Sequence, residues 1–197
     1  MCPLRFNPIG GYCLGRGGRL FIILGIAGPL VAYACIGLSI LLSSSFSWRV
    51  NALSDLGHAQ NSNVAPIFNL GLLLSGFLIA LYSAKSLINY AKYTGISILL
   101  SALLLQAVAT FDEIYGSIHF IVSLLFFVSA GISCLICSVE RRSILAALAF
   151  LIGLLSWVLW WMGVYEAGVA VPEMISALAI TSCIIHSAAK IMHVSIA

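Results

Sequence analysis

Ionisable side chains are scarce in this sequence, and most carboxylates and imidazoles lie in short polar stretches between long apolar runs. The 197 residues include six Asp and Glu residues and four His residues. When such groups converge at the edge of a low-dielectric environment, they can bind a divalent cation, exchange protons or hold a polar headgroup. The candidates for a site of this kind are Asp55, His58, Asp112, Glu113, His119 and Glu173.

Two spacings that involve these residues suit a shared helical face. Ser54 and His58 are i and i+4, and Asp112 precedes His119 by nearly two helical turns. We consider His58, Asp112 and His119 as ligands for zinc, a metal that can lower the pKa of bound water to about 7 and so support hydrolysis. The sequence contains no His-Glu-x-x-His motif, no Gly-x-Ser-x-Gly motif and no phosphate-binding glycine loop, so the common enzyme classes lose support.

The composition identifies the environment that must position these groups. The chain is 62% hydrophobic and 8% charged with a mean hydropathy of +1.13, whereas a soluble domain carries about one-quarter charged residues. The net charge of +3 comes from basic residues placed singly or in pairs at the ends of apolar runs, which favours topology determinants over a nucleic-acid surface. We therefore expect a polytopic membrane protein.

Six apolar runs are long enough to cross a bilayer, because a span needs about 20 residues. The sequence thus predicts an all-α bundle of six transmembrane helices in one membrane domain, residues 20–190, after a basic segment at 1–19 and before a short tail at 191–197. The predicted spans are residues 20–42, 65–84, 93–110, a stretch within 114–139, 143–161 and 172–189.

The distribution of charge predicts the orientation of the bundle. Counting spans places every basic residue except Arg49 on one side, so the positive-inside rule predicts a multi-pass protein of the cell membrane with both termini in the cytoplasm. The same count places Asp55, Asp112, Glu113, Glu166 and Glu173 on the outer side. Two explanations stay open. These acids are solvated loop residues left outside by default, or the three outer connections converge so that one polar mouth over the bundle is lined by Asp55, His58, Asp112, Glu113, His119 and Glu173.

Some polar and small residues inside the spans favour structural roles. Asn69 and Gln106 carry amides that can bridge helices, and Gly71 and Gly76 offer a surface for close helix approach. The pair Cys134-x-x-Cys137 has the spacing of a redox or metal pair, but it lies in an apolar run without a second pair of ligands. We expect both cysteines to be buried packing residues.

Four motifs carry a resemblance to a known family. They are Asn51-x-x-Ser54-Asp55-Leu56-Gly57, Ala65-Pro66-Ile67-Phe68-Asn69-x-Gly71, Phe111-Asp112-Glu113 followed by His119, and Pro172-Glu173. Together they resemble the domain of unknown function 998 family, small prokaryotic and archaeal integral membrane proteins that look distantly similar to the six-span Frag1/DRAM/Sfk1 group. No established activity comes with this resemblance. The polar positions that it implies for ligand binding are Asn51, Ser54, Asp55, Asn69, Glu113, His119 and Glu173.

Three functional hypotheses follow. The first is a non-enzymatic membrane module that binds a lipid or small polar ligand at the outer polar cluster, or that serves as an accessory subunit of another membrane protein. The second is a zinc-dependent membrane hydrolase acting on a lipid-like substrate. The third is a proton- or cation-coupled transporter with His119 and His186 as relays, although few polar residues connect those two histidines.

Overall fold

The computed structural model describes residues 16–194 and shows six helices that are long and apolar enough to cross a membrane. The six spans contain 18 to 26 residues, or about 27 to 39 Å of helix, against a hydrocarbon core of about 30 Å. No strand occurs in the described part of the chain. The helices are α1 (Arg16–Leu42), α2 (Ala65–Tyr90), α3 (Lys92–Thr110), α4 (Ser117–Glu140), α5 (Ile144–Trp161) and α6 (Ala170–Val194).

The structure confirms the predicted number of spans and their approximate positions. In the first and sixth spans three boundaries differ from the prediction: α1 begins within the expected basic segment, and α6 begins two residues before Pro172 and continues beyond residue 189. Proline near a helix start is tolerated because the first N–H groups have no intrahelical acceptor. The rest of the expected basic segment, residues 1–15, and the end of the expected tail, residues 195–197, lie outside the described residues.

Each helix packs against the next along the chain, and α6 returns to α1, so the spans form a closed ring. Glycines permit the closest contacts. A Cβ on Gly71 of α2 would overlap Cys35 of α1, and one on Gly76 would lie 2.8 Å from the Ala102 carbonyl oxygen of α3. The predicted small-residue surface is therefore the face of α2 that packs on both neighbours.

The joint between α2 and α3 differs from the sequence prediction. We expected a loop between Lys85 and Lys92, but α2 continues through a π-helical turn at Ser83–Leu87 and ends at Tyr90. Only Ala91, in extended conformation, separates the two helices. At this end of the bundle, Glu140 accepts hydrogen bonds from the Thr94 backbone N–H and hydroxyl, both at 2.7 Å, and so caps the start of α3.

The interior confirms one packing prediction and corrects another. Cys134 and Cys137 are buried in the apolar core together with Cys183 of α6, and the Sγ atoms of Cys134 and Cys183 are 3.5 Å apart. Gln106 does not bridge two helices as we expected. Its Nε2 donates to the Ala102 carbonyl oxygen one turn earlier in its own helix, and its Cγ lies close to Gly76 of α2.

The two ends of the bundle differ in charge. The motif end is formed by residues 43–64, 111–116 and 162–169 together with the start of α6, and it carries five acidic residues and Arg49. The opposite end carries Glu140 and most of the described basic residues: Arg19, Lys85, Lys92, Arg141, Arg142 and Lys190.

Candidate functional site

A short 3₁₀ helix, Leu53–Gly57, forms the centre of the motif end. The carboxylate of Asp55 organises it: Oδ2 accepts hydrogen bonds from the Ala52 backbone N–H at 3.1 Å and from the Asn51 side-chain amide. Asn51 in turn accepts from the Ser47 backbone N–H at 2.9 Å through Oδ1. Asn and Asp favour turns because their side chains can bond nearby backbone groups in this way. Two of the polar motif residues therefore shape the loop.

Three further contacts fix this loop on the bundle. The Asn69 amide on α2 donates to the Gly57 carbonyl oxygen at 2.8 Å. The backbone N–H groups of Gly168 and Ala170 donate to the carbonyl oxygens of Trp48 and Asn51 at 2.9 and 3.0 Å. A side chain at position 168 would overlap the Asn51 backbone, so glycine is required for this close approach. The loop is thereby joined to the start of α6.

The other polar motif residues converge on this loop from separate parts of the chain. The Ser54 hydroxyl donates to Glu113 Oε1 at 3.0 Å, and the Leu53 backbone N–H donates to Glu173 Oε2 at 2.7 Å. Glu173 is 8% exposed, whereas Ser54 and Glu113 are half-buried. The structure thus brings Ser54, Glu113 and Glu173 together from three separate parts of the chain. We call these three residues and His119 the polar cluster.

The acidic members of this region influence one another. Burial raises the pKa of the Glu113 carboxyl above its usual value, and the negative charge of nearby Asp55 raises it further. The Ser54 hydrogen bond and the neighbouring His119 lower this pKa, and they only partly offset the increase. The described chain places no Lys or Arg within ion-pair distance to neutralise these carboxylates. Crowded carboxylates of this kind favour a bound proton or a cationic ligand.

His119 lies in the first turn of α4 and is 9% exposed. Its Nδ1 is 2.7 Å from the Phe111 carbonyl oxygen at the end of α3, and its Nε2 is 3.3 Å from the Ser123 hydroxyl. Because a carbonyl oxygen only accepts, Nδ1 carries the proton and donates to Phe111. The ring therefore ties α3 to α4 and keeps one edge beside Glu113.

The three residues considered as zinc ligands are not brought together as a ligand set. His58 is occupied by its own turn, since Nδ1 accepts from the Asn61 backbone N–H at 3.3 Å and Nε2 is 3.1 Å from the Asn61 side-chain amide. Asp112 accepts from the Ile114 backbone N–H at 3.0 Å and caps the turn before α4. Within residues 16–194, no three His, Cys, Asp or Glu side chains are arranged to hold a metal ion.

A groove of about 870 Å³ extends from the polar cluster between α4, α5 and α6. Its polar lining is concentrated at the motif end and includes Ser54, Glu113, His119 and Glu173. Along α4 it reaches Cys134, about 22 Å beyond His119 at about 1.5 Å per residue. This length exceeds one half of a bilayer core, about 15 Å. The groove therefore joins a polar end at the motif end to a long apolar channel at membrane depth.

Aromatic and small residues give the groove its shape. Trp157 and Trp160 line it from α5, and their indole N–H groups donate to the Ser176 hydroxyl at 3.0 Å and to the Ala167 carbonyl oxygen at 2.8 Å. Gly131 of α4 and Gly153 of α5 also line the groove, where an added Cβ would make only ordinary contacts, with Phe150 and Ser176 respectively, at 3.7 to 3.9 Å. The two glycines leave room that larger side chains would fill.

The groove is open toward the surrounding membrane. Leu124, Val128 and Ile132 line it from α4 and remain 47 to 49% exposed, and Leu154 on α5 is equally exposed. In a bilayer these residues would contact acyl chains. A molecule could therefore enter the groove sideways from the membrane.

A smaller cavity of about 110 Å³ lies inside the ring, and Glu173 and Ser54 line both this cavity and the groove. On its wall, the Tyr33 and Thr181 hydroxyls are 2.8 Å apart and join α1 to α6. The Ser75 hydroxyl, 1% exposed, has no partner among the described residues. The polar cluster therefore stands at the junction of the internal cavity and the open groove.

Sequence reasoning did not predict the groove or the residues along its wall. Ser123, Ser176, Trp157, Gly131 and Gly153 lie within apolar runs and show no pattern that separates them from lipid-facing positions. A single weak signal was present, namely glycine and serine at these positions of α4 to α6. Small residues in a span also indicate helix packing, so that signal does not single out a groove.

The six long apolar helices among residues 16–194 identify a helical, multi-pass membrane protein. The family model described as "Protein of unknown function (DUF998)" matches residues 26–190, and the chain belongs to this family. No curated protein and no solved structure matches the chain.

Proposed function

We propose that this protein is a membrane module that binds a lipid in the groove between α4, α5 and α6, with the headgroup at the polar cluster. One observation carries the proposal: a continuous groove of about 870 Å³ joins an apolar wall at membrane depth to the convergent polar groups at its end. Ligand sites are usually apolar concavities of about 300–1,000 Å³ with a few polar groups that fix orientation. An amphiphile matches that division of polar and apolar lining.

The lateral opening supports a lipid over a soluble ligand. Exposed apolar side chains such as Leu124 and Leu154 border the groove, so an acyl chain can pass from the bilayer into it without crossing water. A soluble molecule would reach only the polar end beside Ser54 and Glu113. Lipid-facing walls of this kind favour ligands that are already dissolved in the membrane.

Native mass spectrometry of the purified, delipidated chain with added phospholipid tests this proposal. Wild type should retain one lipid. The Gly131→Phe and Gly153→Phe variants, which fill the groove from α4 and from α5, should bind at least tenfold more weakly. Gly131→Ala and Gly153→Ala are the matched controls, because their Cβ atoms fit at ordinary contact distance. Equal binding by the folded Phe and Ala variants would refute the proposal, as would a wild-type chain that retains no lipid.

We further propose the orientation in which the motif end faces away from the cytoplasm of a cell membrane and both termini lie inside. The support is the concentration of basic residues at the opposite end. Single cysteines at the exposed positions Ser45 and Lys92, in a background without other reactive cysteines, test it in intact cells. A membrane-impermeant maleimide should label position 45 directly and position 92 only after permeabilisation; the reverse pattern contradicts the orientation.

A further inference from the structure

The polar end of the groove is rich in hydrogen-bond acceptors and contains no permanent cation. Glu113 and Glu173 contribute carboxylates there, and Ser54 and His119 are already bonded to Glu113 and to Phe111. None of the described residues that line the groove is Lys or Arg. The groove therefore presents negative charge where the lipid headgroup would lie.

Glu173 is the strongest indication that a donor is missing. It is 8% exposed and lines the groove, and its Oε2 accepts the Leu53 backbone N–H. Its second oxygen, Oε1, has no hydrogen-bond donor in the part of the chain that the structure describes. A buried carboxylate is costly unless it is paired and hydrogen-bonded. The structure supplies one of the donors that this group requires.

We infer that the groove selects a lipid whose headgroup carries a primary ammonium group, held between Glu113 and Glu173. This inference rests on the proposed lipid-binding function and specifies its ligand class. An ammonium group offers a positive charge and three N–H donors, which matches two carboxylates with free acceptor positions. A quaternary ammonium supplies the charge without the donors, and an anionic headgroup is repelled by both carboxylates.

Competition between lipids with identical acyl chains tests the inference on the full chain. Native mass spectrometry would compare phosphatidylethanolamine, phosphatidylcholine and phosphatidylglycerol. We expect phosphatidylethanolamine to bind at least tenfold more tightly than phosphatidylglycerol, with phosphatidylcholine between them. Equal binding of the three, or a preference for phosphatidylglycerol, would overturn the headgroup assignment while leaving lipid binding established. Failure of all three to bind would instead refute the proposed function.

Charge-removing variants separate selection by the headgroup from general binding. Glu173→Gln and Glu113→Gln keep an oxygen that can accept the bonds from Leu53 and Ser54, so the loop contacts are preserved. Each should reduce the preference for phosphatidylethanolamine over phosphatidylglycerol by at least threefold without abolishing binding. Glu166→Gln, at an exposed position of the same bundle end, is the matched control and should leave the preference unchanged. Unchanged selectivity in both groove variants would contradict the inference.

Discussion

Replacing Glu173 by leucine and, separately, by glutamine should isolate the contribution of the hydrogen bond that joins α6 to the motif loop. The Leu53 N–H donates to Glu173 Oε2 at 2.7 Å in a buried position. Leucine removes the acceptor, whereas glutamine keeps an oxygen at the same place. The three side chains are of similar size, so neither variant opens a large cavity.

The magnitude follows from the contact that only leucine abolishes. Both variants remove the buried negative charge of Glu173 and its repulsion by Glu113 and Asp55. The stability gained from losing this repulsion is therefore the same in both variants. The remaining difference is the Leu53 N–H left without an acceptor, which costs about 1–3 kcal/mol. Glu173→Leu should therefore be less stable than Glu173→Gln by that amount, or about 5- to 150-fold in the unfolding equilibrium constant.

Reversible unfolding in mixed micelles of detergent and lipid would measure this difference, with helicity followed by circular dichroism. The comparison is made at one pH and without added aminophospholipid, so that ligand binding does not alter the apparent stability. Glu166→Leu is a suitable control because Glu166 is exposed at the same end of the bundle. Equal stability of Glu173→Leu and Glu173→Gln would show that the Leu53 hydrogen bond contributes nothing and would refute the reasoning.

Three other perturbations have defined outcomes. Asn69→Ala removes the donor to the Gly57 carbonyl oxygen and should lower the free energy of unfolding by about 0.5–1.5 kcal/mol, measured by chemical unfolding. An unchanged denaturant midpoint would contradict the role of Asn69 in holding the loop. Because the folded state raises the pKa of Glu113, the folded state binds more protons than the unfolded state between the two pKa values, so stability should rise as the pH falls through that window. Glu113→Gln should flatten this dependence in thermal unfolding at several pH values, and the same slope in both proteins would exclude Glu113 as its source. Gly71→Ala should destabilise the α1–α2 contact by about 1–3 kcal/mol. Gly37→Ala is the control and should not destabilise the protein, because the space around its Cβ is open. Similar unfolding of the two variants would argue against close packing at Gly71.

The spans were predictable because each is a long apolar run bounded by charged or polar residues. The exception at Lys85 has a physical reason. A charged residue near the end of a span can extend its side chain toward the interface while the helix continues. Lys85 therefore does not have to end α2, which continues to Tyr90. The actual end, at Ala91, carries no turn residue that a pattern would detect.

The sequence predicted which polar residues lie at the motif end, but it predicted only part of how they are arranged there. Successive connections between spans lie at alternate ends of the bundle. This alternation places Ser54, Glu113 and Glu173 at the same end. The specific bonds depend on how three loops pack, which hydropathy does not encode. His58 shows the difference, since local bonds to Asn61 occupy a ring that its spacing from Ser54 suggested as part of the site. Family likeness beyond the matched family, including the Frag1/DRAM/Sfk1 group, stays a prediction.

The joining of the first loop to the last helix has a consequence for biosynthesis. Leu53 and its acceptor Glu173 are separated by 120 positions, so at about 5–20 residues per second the ribosome needs about 6 to 24 s to supply the second after the first. During that interval four further spans enter the membrane while the Leu53 N–H lacks its acceptor Glu173. The groove between α4, α5 and α6 therefore acquires its shape only once α6 is inserted.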